Sequence, residues 1–89
     1  MKYVALLTIV DPELNQQVRP AHLAYISDLY RQGKVVMAGP FVDGKGGMVM
    51  YECDSEEEAS QLAQADPVVA AGARTLELHA WHQLELPVE

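Results

Sequence analysis

The chain is short of the residue types that most often announce a function. It has one cysteine in 89 residues, Cys53, so no internal disulfide can form, and nothing around it has the spacing of a metal site. Positive charge is scarce as well. Six Lys and Arg stand against 13 Asp and Glu, a formal charge of −7, which repels phosphate backbones and anionic lipid and so argues against nucleic acid or a membrane as partner. The apolar run "YVALLTIV" after Lys2 is too short to span a bilayer, and no small-residue cleavage site follows it, so it is expected to be a buried strand rather than a signal peptide. Repeats, low-complexity tracts and domain linkers are absent too, which predicts a single domain over residues 1–89. With a lone thiol and no leader, the expected setting is a reducing cytoplasm.

What is there reads as a compact fold, since 49% of residues are hydrophobic and 21% charged, far from the composition of a disordered chain. "KYVALLTIV" is apolar at odd and even positions and predicts a strand covered on both faces, ended by Asp11-Pro12. "QQVRPAHLAYISDLYRQG" predicts a helix that begins near Pro20, where a missing N–H costs nothing, and stops at Gly33. "KVVMAGP" and "GGMVMYEC" predict two strands paired antiparallel across a Gly/Asp/Lys turn. "DSEEEASQLAQAD" predicts a second helix, with Ser55 as N-cap and Glu58 completing a capping box. Asp66-Pro67 breaks it, "PVVAAG" predicts a short turn, and "RTLELHAWHQLEL" alternates as a fourth strand.

The order βαββαβ with right-handed crossovers gives an α+β, ferredoxin-like fold, a four-stranded antiparallel sheet with two helices on one face. Strands one and three are expected at its centre. Both are apolar on both faces, Tyr3, Ala5, Leu7 and Ile9 against Val4, Leu6 and Val10, and Val49 and Tyr51 against Met48 and Met50, and the two helices can cover only one of those faces. For so small a chain the expected solution is a homodimer packed through the other sheet face, or a higher assembly built from it.

Several constellations fail as motifs. "GPFVDGKG" matches most of a P-loop, but Gly46 stands where Ser or Thr would hold magnesium and a strand follows instead of a helix. His79 and His82, three apart on a strand, point to opposite faces and cannot share one ion, and no metal or other cofactor is expected. Glu56, Glu57 and Glu58 complement a helix dipole, the methionines suit a core, and the third strand lacks the paired aromatics of an RNA-recognition domain.

His22 and Asp66 remain. An imidazole near the first turn of its helix lies at the positive end of the dipole, which favours the neutral, proton-accepting form. Asp66, between the second helix and the turn begun by Pro67, can cap free N–H groups or orient a histidine. Residue chemistry alone leaves both with ordinary readings, a helix-surface histidine and an N-cap.

Together "RPAHLAYI", "GKVVMAGPF", "DSEEEASQLAQADPVVAAG" and a last strand ending near "AW" closely resemble YciI-like proteins, relatives of the muconolactone isomerase-like dimeric α+β barrels. The resemblance covers nearly the whole chain through R-x-x-H, A-G-P and A-D-P-x-x-x-A-G. It implies the ferredoxin-like fold, a face-to-face dimer, and an active site whose histidine–aspartate dyad falls on His22 and Asp66. Arg19, Gly39 and Pro40 match further motif positions beside the pocket. Some members carry a serine shortly after A-G-P, where this chain has "GKGGM".

The expected function is general acid/base chemistry on a small aromatic or acidic organic molecule, a lyase or isomerase step without cofactor. His22 would move the proton, Asp66 would orient it, Arg19 would take a carboxylate, and Phe41 and Trp81 would line the pocket with Gly39 and Pro40. The alternative is a non-catalytic dimeric module that binds a small molecule or serves a larger enzyme.

Overall fold

Alternation along the first strand decides which way the sheet faces. In β1 (Lys2–Ile9), Tyr3, Ala5 and Leu7 are buried on one side, while Val4 and Leu6 are only half-buried on the other. The computed structural model describes residues 1–89. β1 is followed by α1 (Pro12–Arg31), β2 (Val35–Pro40), β3 (Gly46–Glu52), α2 (Glu56–Ala65), α3 (Pro67–Ala70) and β4 (Arg74–Trp81). The strands form one antiparallel sheet in the order β2-β3-β1-β4, with β1 and β3 central. Tyr3, Ala5, Leu7, Val49 and Tyr51 pack with Leu29, Ala59, Ala63 and Val68 of the helices into one core. This is the expected ferredoxin-like α+β arrangement, with the helices on one face.

Four local expectations need correction. α1 starts at Pro12 rather than near Pro20, because Asp11 is its N-cap, accepting from Leu14 N–H at 3.1 Å, and Pro12 fills the first turn. Pro20 lies inside the helix on its exposed side, where water can take the carbonyl that its missing N–H leaves free. The "PVVAAG" turn is the short helix α3. β4 ends at Trp81 instead of running to Leu86, although Leu84 and Leu86 continue the alternation. Trp81 pairs with Lys2, so the neighbouring strand has run out of ladder beyond it. The capping box is also shifted. Ser55 Oγ accepts from Glu58 N–H at 3.1 Å, but the Glu58 carboxylate reaches the N–H of Asp54 at 3.3 Å rather than that of the cap itself.

Glycines shape the turn into β2 and the close packing of β3 between its neighbours. Gly33, at φ 78°, ends α1 in a conformation that favours glycine, and Lys34 N–H donates to Leu29 O at 2.9 Å to complete the turn into β2. In β3, a Cβ on Gly46 would drive into the Leu7 carbonyl, and one on Gly47 would lie 2.7 Å from Gly39 O. The glycine pair Gly46-Gly47 is therefore a steric requirement of this sheet. On the uncovered face, Val4 and Leu6 of β1 lie beside Met50 and Met48 of β3, bordered by Met37, His79 and Trp81. No helix is long and apolar enough to cross a membrane.

Candidate active site

α1 presents a stripe of side chains to the sheet at helical spacing, and two of its members are polar. Asn15, His22 and Leu29 are buried, with Val18, Tyr25 and Ile26 partly so. His22 is therefore not in the first turn. It sits near the middle of a 20-residue helix, 6% exposed, and the dipole argument for its neutral form does not apply, since that field falls off within a turn of the helix end.

Asp66 reaches His22 from the junction of α2 and α3. The residue before a proline is pushed out of the helical region, and Asp66 accordingly has φ −57°, ψ 127°, ending α2 and capping α3. Its Oδ1 accepts from Val68 N–H at 3.2 Å, and both carboxylate oxygens lie 2.8 Å from Nδ1 of His22. Capping a turn and holding a histidine are thus combined in one side chain, which is fully buried. An ionised carboxylate only accepts, so Nδ1 carries a proton, and in the neutral ring the lone pair is then on Nε2. Nε2 has no protein partner, and the ring borders a cavity.

Two phenols surround the carboxylate. Tyr25 Oη donates to Leu62 O at 2.8 Å, whereas Tyr51 Oη is buried without a partner. Burial first and the Asp66 charge second raise both pKa values above the ordinary tyrosine value. Both stay protonated over the working range.

The cavity measures about 160 Å³ and lies between α1 and the β2–β3 end of the sheet, with Arg19, His22, Leu23 and Ile26 on one side and Ala38, Gly39, Pro40, Met48 and Val49 on the other. Arg19, His22, Gly39 and Pro40 are thus brought together, and Asp66 stands behind His22. Phe41 and Trp81 do not line the cavity. Phe41, just beyond Pro40, is 43% exposed, and Trp81, 42% exposed, shares the uncovered sheet face with Lys2 and Val4.

One lining residue escaped the sequence reading. Arg74 borders the cavity and its Nε–H donates to Oδ1 of Asn15 at 2.7 Å. The signal was present in both strand and helix periodicity. In "RTLELHAW", Leu76 and Leu78 belong to the core side, which puts Arg74 on the same face by period two, and Asn15 lies two helical turns before His22 on the same stripe.

The sequence model of the YCII-related domain matches residues 1–82. The uncharacterized protein YjpA of Bacillus subtilis (strain 168) is 36% identical over 85% of this chain and 89% of its own length. Protein YciI of Escherichia coli O6:H1 is 41% identical over 67% of this chain and 71% of its own. Among solved structures, 5-chloro-2-hydroxyhydroquinone dehydrochlorinase (TftG) from Burkholderia phenoliruptrix AC1100, in complex with 2,5-dihydroxybenzoquinone, superposes with a TM-score of 0.79 at 21% identity, covering 92% of this chain and 94% of that one. At that identity the likeness speaks for the fold.

Proposed function

The chain belongs to the YCII-related family, and from that premise we propose that it is a small-molecule enzyme in which His22 moves a proton and Asp66 holds the imidazole in place. The observation that most supports this reading is the pair of 2.8 Å contacts from a buried carboxylate to Nδ1 of a histidine that borders a cavity. With Nδ1–H donated to Asp66, the Nε2 lone pair is the acceptor. It takes a proton from a C–H or O–H of the substrate, the bonding electrons stay on the substrate, and the imidazolium so formed lies against the Asp66 charge. Return of the proton to another atom completes an isomerisation, and loss of a leaving group from the substrate anion completes an elimination. That the fold also serves a dehydrochlorinase solved with a dihydroxybenzoquinone supports hydroxylated aromatics and related organic acids as the first compounds to test. Arg19 would hold an acidic substituent, and Gly39 and Pro40 would form the opposite wall.

The test is a turnover screen of hydroxylated and halogenated aromatics and small organic acids with the wild type, then His22→Gln on any compound converted. A base of this kind contributes roughly 10²- to 10⁴-fold in rate, so the variant should lose at least two orders of magnitude. Undiminished turnover in His22→Gln would overturn the assignment, and thermal stabilisation by a compound that is never converted would favour the binding module instead.

We propose further that the protein works as a homodimer in the cytoplasm, where its lone cysteine stays reduced. The support is the uncovered face, on which Val4, Leu6 and Met48 stay only half-buried at the centre of the sheet. Leu6→Glu puts a charge at the centre of that face and should give a folded monomer by light scattering. A wild type that is already monomeric at micromolar concentration would sink the dimer.

A further inference from the structure

Arg74 is an unusual residue to find where it is. It opens β4 on the core side, is 8% exposed, and its hydrogen-bond partner is the neutral amide of Asn15, itself 8% exposed. A guanidinium carries five N–H donors in a rigid fork, and here the single Nε–H is committed while the terminal NH2 groups have no protein acceptor. Neither Arg74 nor Arg19 forms an ion pair with any carboxylate of the chain. Buried charges are normally paired, and in a protein with 13 acidic side chains a counter-charge was easy to supply. Two of its three arginines instead border one cavity with His22. Burial lowers the pKa of Arg74, the Asp66 charge opposes that shift, and the like charge of Arg19 adds to it. An anion in the cavity would relieve both the desolvation and the repulsion.

We propose that Arg74, aimed by Asn15, is the anion-binding residue of this cavity, and that its ligand is a small organic anion, one ring bearing a carboxylate or ionised phenol held between Arg74 and Arg19. This rests on the reading of the His22 cavity as the ligand site. Size supports a single ring, since about 160 Å³ is close to the roughly 150 Å³ of a cavity that takes up benzene. Charge supports a ligand that enters as a monoanion, because the site is then neutral before and after the proton transfer. With the imidazole neutral, two guanidiniums and the Asp66 carboxylate leave one positive charge for the ligand to neutralise. When a proton passes from the ligand to Nε2, the electron pair it leaves makes the ligand a dianion. The new imidazolium pairs with Asp66, and the two guanidiniums then face two negative charges.

The probes are benzoate and its neutral isostere benzamide, titrated into the isotopically labelled wild-type protein while the Arg74 Nε–H and Gly39 amide signals are followed. Benzoate should move both signals and bind about tenfold or more tightly than benzamide, as expected for a charge-assisted pair. Arg74→Gln should remove most of the preference for benzoate, leaving only what Arg19 supplies. Arg74→Lys, which keeps the charge and loses the fork, should fall between. His22→Gln should keep the preference for benzoate, which separates this inference from the catalytic one. Equal binding of the two probes, no binding of either, or benzoate binding with the Arg74 signal unmoved would overturn it. The comparison in the wild type stands even if Arg74→Gln does not fold.

Discussion

The two ends of α2 carry the same chemical device in opposite surroundings. At its start, Glu58 accepts from the N–H of Asp54 at 3.3 Å and from Lys34 Nζ at 3.2 Å. At its end, Asp66 accepts from the N–H of Val68 at 3.2 Å and from His22 Nδ1 at 2.8 Å. Each carboxylate caps backbone and holds a basic side chain. The difference is water: the Lys34 and Glu58 side chains are 34% and 35% exposed, those of His22 and Asp66 7% and 1%. A half-buried pair open to solvent is screened and adds little, whereas a fully buried one fixes a tautomer and a ring orientation. What lies behind each pair differs as well. Behind Glu58 is Cys53, whose thiol is pushed up to about 11 by burial and by its hydrogen bond to Glu58, which leaves no thiolate for nucleophilic chemistry at neutral pH. In front of His22 is a cavity with two arginines.

The sharpest way to break this contrast is to remove each carboxylate in turn. Asp66→Ala strips the cap from Val68 N–H and strands the buried Nδ1–H of His22, so it should cost about 2–4 kcal/mol, a lost cap plus an unsatisfied buried donor. Glu58→Ala should cost clearly less in the same urea titration. Equal losses would mean that burial does not separate the two ends. Asp66→Asn sharpens the point without emptying the space. The imidazole ¹⁵N spectrum should report an Nδ1-protonated ring in the wild type and a mixture of tautomers in the variant, because the Asn amide can either accept or donate.

A smaller effect comes from the two phenols beside Asp66. Tyr25 Oη has Leu62 O as acceptor, and Tyr51 Oη is buried with none. Tyr25→Phe should therefore lose about 1 kcal/mol, while Tyr51→Phe should be neutral or gain up to about 1 kcal/mol, since an unpaired buried hydroxyl opposes folding. Thermal unfolding of both variants checks the signs. A loss in Tyr51→Phe would instead reveal an ordered water joining that hydroxyl to its surroundings.

Periodicity and punctuation made the fold legible. The two-sided apolar pattern of β1 and β3 marked the central strands, and Asp66-Pro67 marked the break where the carboxylate is held. The start of α1 was misread because two prolines compete for the role. Pro12 follows a capping Asp11, and Pro20, which looks equally suited, is absorbed on the solvent side. That error moved His22 from the buried stripe to an exposed first turn and supplied a wrong reason for its chemistry. His22 and Asp66 were paired through the family pattern, because no spacing rule joins residues 44 apart. Phe41 and Trp81 were placed in the pocket by residue type, whereas strand register sends Trp81 to the other face. Arg74 was missed for the converse reason, that a charged residue at a strand end reads as surface until the alternation of Leu76 and Leu78 is carried back to it.

The smallest expected effect belongs to the half-buried Lys34–Glu58 pair, and its signature is pH and salt. The hydrogen bond from Lys34, then those from Cys53 and the Asp54 N–H, hold the Glu58 pKa below its ordinary value. A carboxyl whose folded pKa is depressed contributes stability above its unfolded pKa and loses it as pH falls through the folded one. Lys34, raised chiefly by its hydrogen bond to Glu58, contributes below its unfolded pKa and loses that contribution as pH rises through the raised value. Glu58→Gln should therefore leave the urea midpoint almost unchanged in acid and lower it slightly at neutral pH, and molar salt should shrink even that difference. A midpoint that falls as far as in Asp66→Ala, or that ignores salt, would show that the Lys34–Glu58 pair is as shielded from water as the dyad at the other end of the helix.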